Sequence, residues 1–384
     1  MKIFALSNTF SQFFDSEKSS GILLIGCTVI SIVIANSSWG TSYLGIWHVV
    51  VAGLSLEHWV NDGLMAIFFL MIGLELEREL YNGELSKLSN ALLPIFAAVG
   101  GMLAPALIHL YFNADTSTQA GIGIPMATDI AFALGILALL GKRIPTSLKV
   151  FVVAFAVIDD LGAAILIALF YTAEISLPAL FGAVGILLAL IALNRLRIMS
   201  LTPYLIGGVI MWALMLQSGV HATIAGIALA FAIPFSSKQD DVASPSHRLE
   251  HMLHRPVAFV ILPIFALANT CITIHNGWQQ ELLQSANTIG IMLGLVFGKP
   301  IGVVCLSLAA VTLKLCKLPT DLHWLHIIGA GLLGGIGFTM AIFITNLAFI
   351  GQPDVINASK MAILLASLCA GMFGYFWLRL ITKP

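Results

Sequence analysis

VFVVAFAVIDDLGAAILIALFYT, residues 150–172, is an apolar run long enough to cross a bilayer, yet it carries two adjacent aspartates, Asp159 and Asp160, at its centre. About 20 mostly apolar residues match the hydrocarbon thickness of a membrane. Each carboxylate at that depth costs about 2.5–3.5 kcal/mol on insertion scales. A segment that keeps two of them must have something for them to hold. The rest of the chain suits that setting. Of its 384 residues, 59% are apolar and only 10% are charged, against roughly 25% charged in soluble domains. That excludes a water-soluble core and places the chain among all-α polytopic membrane proteins. A net charge of −1 without a basic cluster gives no footprint for nucleic acid. The five cysteines (Cys27, Cys271, Cys305, Cys316, Cys369) are scattered without metal-like spacing and read as small core residues.

Apolar runs bounded by charges or turn residues predict twelve membrane helices: 20–36, 59–80, 91–112, 120–140, 150–172, 177–194, 203–217, 220–233, 257–274, 286–311, 327–350 and 357–378. The seventh and eighth are short and separated only by Gln217, Ser218 and Gly219. With both termini in the cytoplasm, sixteen of the eighteen lysines and arginines lie on the cytoplasmic side, as the positive-inside rule requires. An odd number of spans would destroy that asymmetry. The chain reads as one transporter domain over residues 1–384. Residues 1–19 form an amphipathic segment suited to the membrane interface. In the external loop 37–58, IWHVVVAGLSLEH predicts either a small β-hairpin or a disordered loop.

Three helices place ionisable groups at one depth. Asp129 is next to the midpoint of 120–140, Asp159 and Asp160 straddle the middle of 150–172, and Lys299 is at the middle of 286–311. Buried ion pairs that merely lock the bundle would explain a balanced set, but here three carboxylates face one ammonium. Uncompensated charge at that depth is neutralised by a proton or filled by a cation. Consecutive helical residues point roughly 100° apart, so one aspartate of the pair can face Asp129 while the other reaches toward Lys299. The pair then titrates as a coupled unit. A small cation held by carboxylate oxygens competes with its protons, which is the physical recipe for cation/proton exchange.

Glycine and proline interrupt the backbone at the same depth. GIGIPMATDIAFALG (121–135) sets Gly123 and Pro125 before Thr128 and Asp129, and GAGLLGGIGFTMAIF (329–343) contains Gly334, Gly335 and Gly337 before Thr339. A single glycine in a membrane helix is usually a close-packing position. These two runs, however, are the middle members of two triplets, spans 3–5 (91–172) and 10–12 (286–378). Equivalent spans lie an odd number of helices apart, so the triplets form inverted repeats. Discontinuous helices at corresponding positions of such repeats point to a transporter's binding site. Broken helices face positive N-termini together and negative C-termini together. Asp129 can offset the first and Lys299 the second.

These stretches also carry a resemblance. WVNDGLMAIFFLMIGLELEREL (59–80), ATDIAFALGILALLG (127–141), VIDDLGA (157–163), SGVHATIAG (218–226), RLEHMLH (248–254), GKP (298–300) and GGIGFTMAIF (334–343) resemble the NhaA family of bacterial sodium/proton antiporters, and the likeness extends over the chain. It implies a twelve-helix fold in which interrupted helices four and eleven cross. It implies that Asp159 and Asp160 bind Na⁺ or Li⁺ in exchange for H⁺, with Thr128 near the cation and Asp129 and Lys299 compensating the broken helices. It further implies a secondary transporter of the bacterial inner membrane, not an enzyme, with no cofactor or structural metal and lipid as its surroundings. Family members dimerise through a hairpin in the first external loop, which here is short and nearly uncharged. Exchange that is electrogenic and pH-regulated, serving sodium and pH homeostasis, is the expected activity.

Other polar residues have competing readings. Glu75, Glu77, Arg78 and Glu79 cluster at the inner end of the second span, and His247, Glu250, His251 and His254 lie just before or at the start of the ninth. The order E-H-x-x-H differs from the zinc pattern H-E-x-x-H. A solvated face or a pH sensor remains, since histidine changes charge between pH 5 and 8. His221 follows a turn glycine and is either a packing residue or a modulator of the pH response. Asp62 lines an exit or caps its helix. A Na⁺-coupled symporter of an organic solute is the alternative function, but the central segments offer mostly Ala, Gly, Leu and Ile to hold a solute. An intramembrane aspartyl protease would need a G-x-G-D motif, which is absent.

Overall fold

The fold is that of a computed structural model, which describes residues 8–172, 175–236, 244–274 and 277–382. It is an all-α polytopic membrane protein. Eight helical stretches are long and apolar enough to span a bilayer, or ten if two sharply bent helix pairs each count as one span. Residues 1–7 of the expected amphipathic segment lie outside the described residues, and the first helix runs from Asn8 to Ala35. After it come a short helix, Gly40–Trp47, and a hairpin with two residues in each strand. In the hairpin Val50 pairs with Ser55 and Val51 with Leu54.

Local chemistry sets the helix ends. The Thr202–Ser218 helix has Pro203 in its first turn and ends at Gly219, whose φ of 81° suits the left-handed stop. Residues 219–223 are therefore a turn, and the eighth predicted span is shorter than expected: its regular helix covers only Ile224–Ala232. The ninth differs at both ends. Ser244 caps its start by accepting from the His247 N–H, Pro245 occupies the first turn, and the helical stretch runs from Pro245 to Asn269 rather than over 257–274. The polar run SHRLEHMLHR is therefore helical, not a connection before the helix.

The described residues fall into two compact units. One contains Ser42–Ser86 and Ala164–Ala268, with a core that includes Leu74, Tyr204, Met211, Leu229 and Ala230. Within it Gly226 lets two backbones meet, since a Cβ there would run into the Ala66 carbonyl. The other unit draws on the described parts of Met1–Thr41, Lys87–Ala163 and Asn269–Pro384. There the Leu88–Asn113 helix lies against Lys299–Thr312 with Gly100 and Gly302 in backbone contact, each leaving no room for a Cβ on the other. This unit holds every ionisable residue expected at mid-depth.

Candidate functional site

Both interrupted helices break where their glycines and prolines predict. The first is a tight 3₁₀ segment, Gln119–Met126, followed by extended backbone at residues 127–129 and then the Ile130–Leu140 helix. The second is Trp324–Gly334 followed by Phe338–Ala348, bent by 47° at the break. The breaks meet through their backbones. Asp129 N–H donates to the Ile336 carbonyl at 2.6 Å, and the Thr128 hydroxyl donates to the Gly334 carbonyl at 2.9 Å. Gly337 allows the approach, because a Cβ there would lie 3.2 Å from the Ala127 carbonyl. In the 3₁₀ segment Gly123 is buried, and Pro125 packs against Gly294.

Asp129 serves two helix starts at once. Its Oδ1 accepts from Phe132 N–H at 3.2 Å as the cap of Ile130–Leu140. Its Oδ2 accepts from Thr339 N–H at 3.1 Å, in the first turn of Phe338–Ala348, and also from the Thr339 hydroxyl. A carboxylate between two helix N-termini answers two sets of unsatisfied N–H groups and two positive dipole ends. At the opposite polarity, Lys299 Nζ donates to the Met126 carbonyl, the last residue of the 3₁₀ segment, and to Asp159 Oδ2 at 2.7 Å. Asp129, Asp159, Asp160, Lys299 and Thr128 are all between 0 and 3% exposed. Lys299 runs past Gly334, where a Cβ would sit 3.6 Å from its Cγ, and its ammonium is 6.0 Å from the Phe155 ring centroid.

The position of Lys299 follows from GKP. The helix widens to a π turn over Gly294–Gly298, so the Lys299 N–H bonds to Gly294 instead of Leu295. Pro300 has no N–H to offer. In this register the Leu295 carbonyl has no donor from its own helix, and it faces Gly335, where a Cβ would collide with it.

The other unit gathers a separate polar cluster. Arg78 reaches Glu250 at 2.8 Å, Glu79 at 3.0 Å and Glu75 at 3.6 Å, and His247 lies 3.9 Å from Glu250. Ser246 donates to Glu77 at 2.9 Å. His251 is exposed and His254 half-buried on the same helix. His221 does not join this cluster; its Nε2 is 2.7 Å from the Tyr171 carbonyl. Asp62 gives its backbone carbonyl to Trp212.

A family model described as Na⁺/H⁺ antiporter 1 matches residues 11–378. The chain belongs to this antiporter family. A relative from Dechloromonas aromatica named Na(+)/H(+) antiporter NhaA is 67% identical over 374 residues, covering 97% of this chain and 96% of its own. Relatives of the same name from Flavobacterium psychrophilum and Vibrio campbellii are 58% and 49% identical, covering 98% and 97% of this chain and 97% and 96% of theirs. Membership makes the protein a multi-pass membrane transporter that exchanges Na⁺ and H⁺. The sequence reading missed two backbone carbonyls that bond residues it singled out: Met126, which accepts from Lys299, and Gly334, which accepts from Thr128. Carbonyls have no letter in a sequence. Ser246, which bonds Glu77, was also missed, because in the Ser-Pro-Ser start of its helix it looks like any other first-turn serine.

Proposed function

We propose that Asp159 and Asp160 form the exchange site, where Na⁺ or Li⁺ from the cytoplasm and protons from outside alternate. The observation that carries this reading is the Lys299 ammonium held between the Met126 carbonyl and Asp159, with Asp160 next to Asp159 in the same buried level. In a water-poor site two adjacent carboxylates and one ammonium leave excess negative charge. One cation or added protons can neutralise it, but not both together. Protons arriving from one side therefore expel the cation, and a cation arriving from the other expels protons. Thr128, whose hydroxyl ties the first break to the Gly334 carbonyl of the second, lies near the cation, and Asp129 and Lys299 keep the broken helix ends neutral while the load changes. If two protons leave for each Na⁺ bound, one net charge crosses per cycle and the membrane potential drives Na⁺ out.

The finer architecture belongs to the same proposal. Ser19–Ala35, Thr202–Ser218, Ile224–Ala232 and the bent pair Trp324–Gly334 and Phe338–Ala348, added to the eight long spans, make twelve crossings. They support inverted repeats over 91–172 and 286–378, both termini in the cytoplasm, and residence in the inner membrane. The Arg78, Glu75, Glu79, Glu250 and His247 cluster, with His251 and His254, acts as the pH sensor. The two-stranded hairpin at Val50–Ser55, which has no third strand among the described residues, supports a homodimer contact.

The test uses everted membrane vesicles from cells lacking other antiporters, acidified by respiration and read with a pH-sensitive dye between pH 6.5 and 8.5. Na⁺ and Li⁺, but not K⁺, raise the internal pH, and Asp159→Asn and Asp160→Asn lose the response. No cation-dependent signal from protein shown to be in the membrane overturns the reading and favours a symporter.

A further inference from the structure

We propose that His109 is a positioning residue for exchange, acting through the outer half of the first interrupted helix; this rests on the role given above to Asp159, Asp160 and Lys299. His109 lies near the end of the Leu88–Asn113 helix and is 0% exposed. Its Nε2 is 3.1 Å from Asn287 Oδ1. Asn287 Nδ2 donates to Ser359 Oγ at 2.8 Å, and Ser359 Oγ donates to the Val355 carbonyl at 2.6 Å. A hydroxyl has one proton, so Ser359 accepts from the Asn287 amide, Asn287 turns its oxygen to the imidazole, and His109 Nε2 carries the hydrogen. His109 Nδ1 has no hydrogen-bond partner among the described residues. The one donated bond therefore orients the ring.

Two glycines make the slot for that ring. A Cβ on Gly121 would lie 3.1 Å from His109 Nε2 and 3.0 Å from Asn287 Oδ1, and one on Gly290 would lie 3.0 Å from His109 Cδ2. Gly121 thus rests on the polar edge formed by His109 and Asn287. It belongs to the 3₁₀ segment Gln119–Met126, whose rise of about 2 Å per residue puts Met126 about 10 Å farther along. The segment is gripped again where Pro125 abuts Gly294. The segment is therefore packed at both ends, against the His109–Asn287 edge and against Gly294, and it leads to the Met126 carbonyl, which accepts from Lys299. When that carbonyl is displaced, the Lys299 ammonium is shared with Asp159 alone. Na⁺ then competes against a tighter ion pair and binds more weakly.

The experiment titrates Na⁺ in the everted vesicles at the optimal pH, with membrane abundance measured for each variant. His109→Leu and Asn287→Leu raise the apparent KM for Na⁺ about fivefold to tenfold, the size of one net buried hydrogen bond, with the maximal rate largely kept. His109→Gln, whose amide N–H can donate from near the Nε2 position, returns the KM to within about twofold of the wild type, with an unchanged pH profile. An unmoved KM in His109→Leu overturns the inference, and so does a His109→Gln variant as impaired as His109→Leu, since that assigns the imidazole a proton-carrying role. If the leucine variants do not reach the membrane, Ser359→Ala, which loosens the far end of the chain, raises the KM in the same direction; no rise overturns the inference. Wild-type vesicles that ignore Na⁺ overturn the parent reading. An active wild type, an inactive Asp160→Asn and an unmoved His109→Leu overturn this inference alone.

Discussion

Lys299 and Asp159 are each fully buried and bonded to one another at 2.7 Å, so neither can be changed without altering what the other needs. Breaking a buried pair by removing one partner costs about 3–5 kcal/mol, because the remaining charge has no counterpart, while replacing both by apolar groups is often close to neutral. Asp159→Asn is therefore expected to lower the melting temperature of the detergent-purified protein. Adding Lys299→Met to it restores most of the loss without restoring Na⁺-driven alkalinisation of vesicles. A double variant as unstable as the single would mean that the Met126 carbonyl, rather than Asp159, is the main partner of the ammonium. Asp129 makes a different prediction, because its contacts are helix caps. Asp129→Asn keeps one acceptor oxygen, enough for Phe132 or for Thr339 but not for both, whereas Asp129→Ala loses two caps of about 1 kcal/mol each. The alanine variant should melt clearly below the asparagine variant. Equal melting temperatures would remove the capping role.

At the scale of elements, the closest contacts around the interrupted helices are backbone against backbone, and glycine makes them possible. A Cβ at Gly335 would collide with the Leu295 carbonyl, and one at Gly302 with the Gly100 carbonyl. Oxygens of a helix backbone cannot rotate away as a side chain can, so Gly335→Ala and Gly302→Ala should each cost about 1–3 kcal/mol or more. Gly26, where a Cβ would meet nothing within 4 Å, is the matched control: Gly26→Ala should leave the melting temperature unchanged or raise it. A Gly335→Ala variant as stable as that control would show that the break is looser than the close contact indicates. These elements also show what a sequence can carry. Asp129, Asp159, Asp160 and Lys299 were legible together because charge inside an apolar run is rare and its depth can be counted. The breaks were legible because glycine and proline mark them. The 3₁₀ form of Gln119–Met126 was not, since nothing in its composition separates it from an α-helix. The early start of the ninth helix was hidden by its polar first turns. The His109–Asn287–Ser359 chain joins residues far apart in sequence, each an ordinary letter in its own helix.

At the scale of the whole molecule, exchange requires that cation binding and proton binding exclude each other, and folding stability can report this without any membrane gradient. A ligand that binds only the native protein stabilises it by RT ln(1 + [L]/Kd), about 2.7 kcal/mol at one hundred times Kd. The cation takes the deprotonated carboxylates, so the sign is fixed: Na⁺ protects best at alkaline pH and loses its effect as pH falls. For each proton released on binding, the apparent Kd rises about tenfold per unit of falling pH, equivalent to about 1.4 kcal/mol. Melting of purified protein in Na⁺ against equal K⁺, from pH 8.5 down to 6.5, should therefore give an apparent Kd that climbs with a slope between one and two. A slope near two makes each cycle move net charge, and a potassium diffusion potential should then speed exchange in proteoliposomes. A slope near one predicts exchange indifferent to the potential. Asp160→Asn should show no Na⁺ protection at any pH. Protection that persists in that variant, or that strengthens on acidification, would place the cation somewhere other than the aspartate pair.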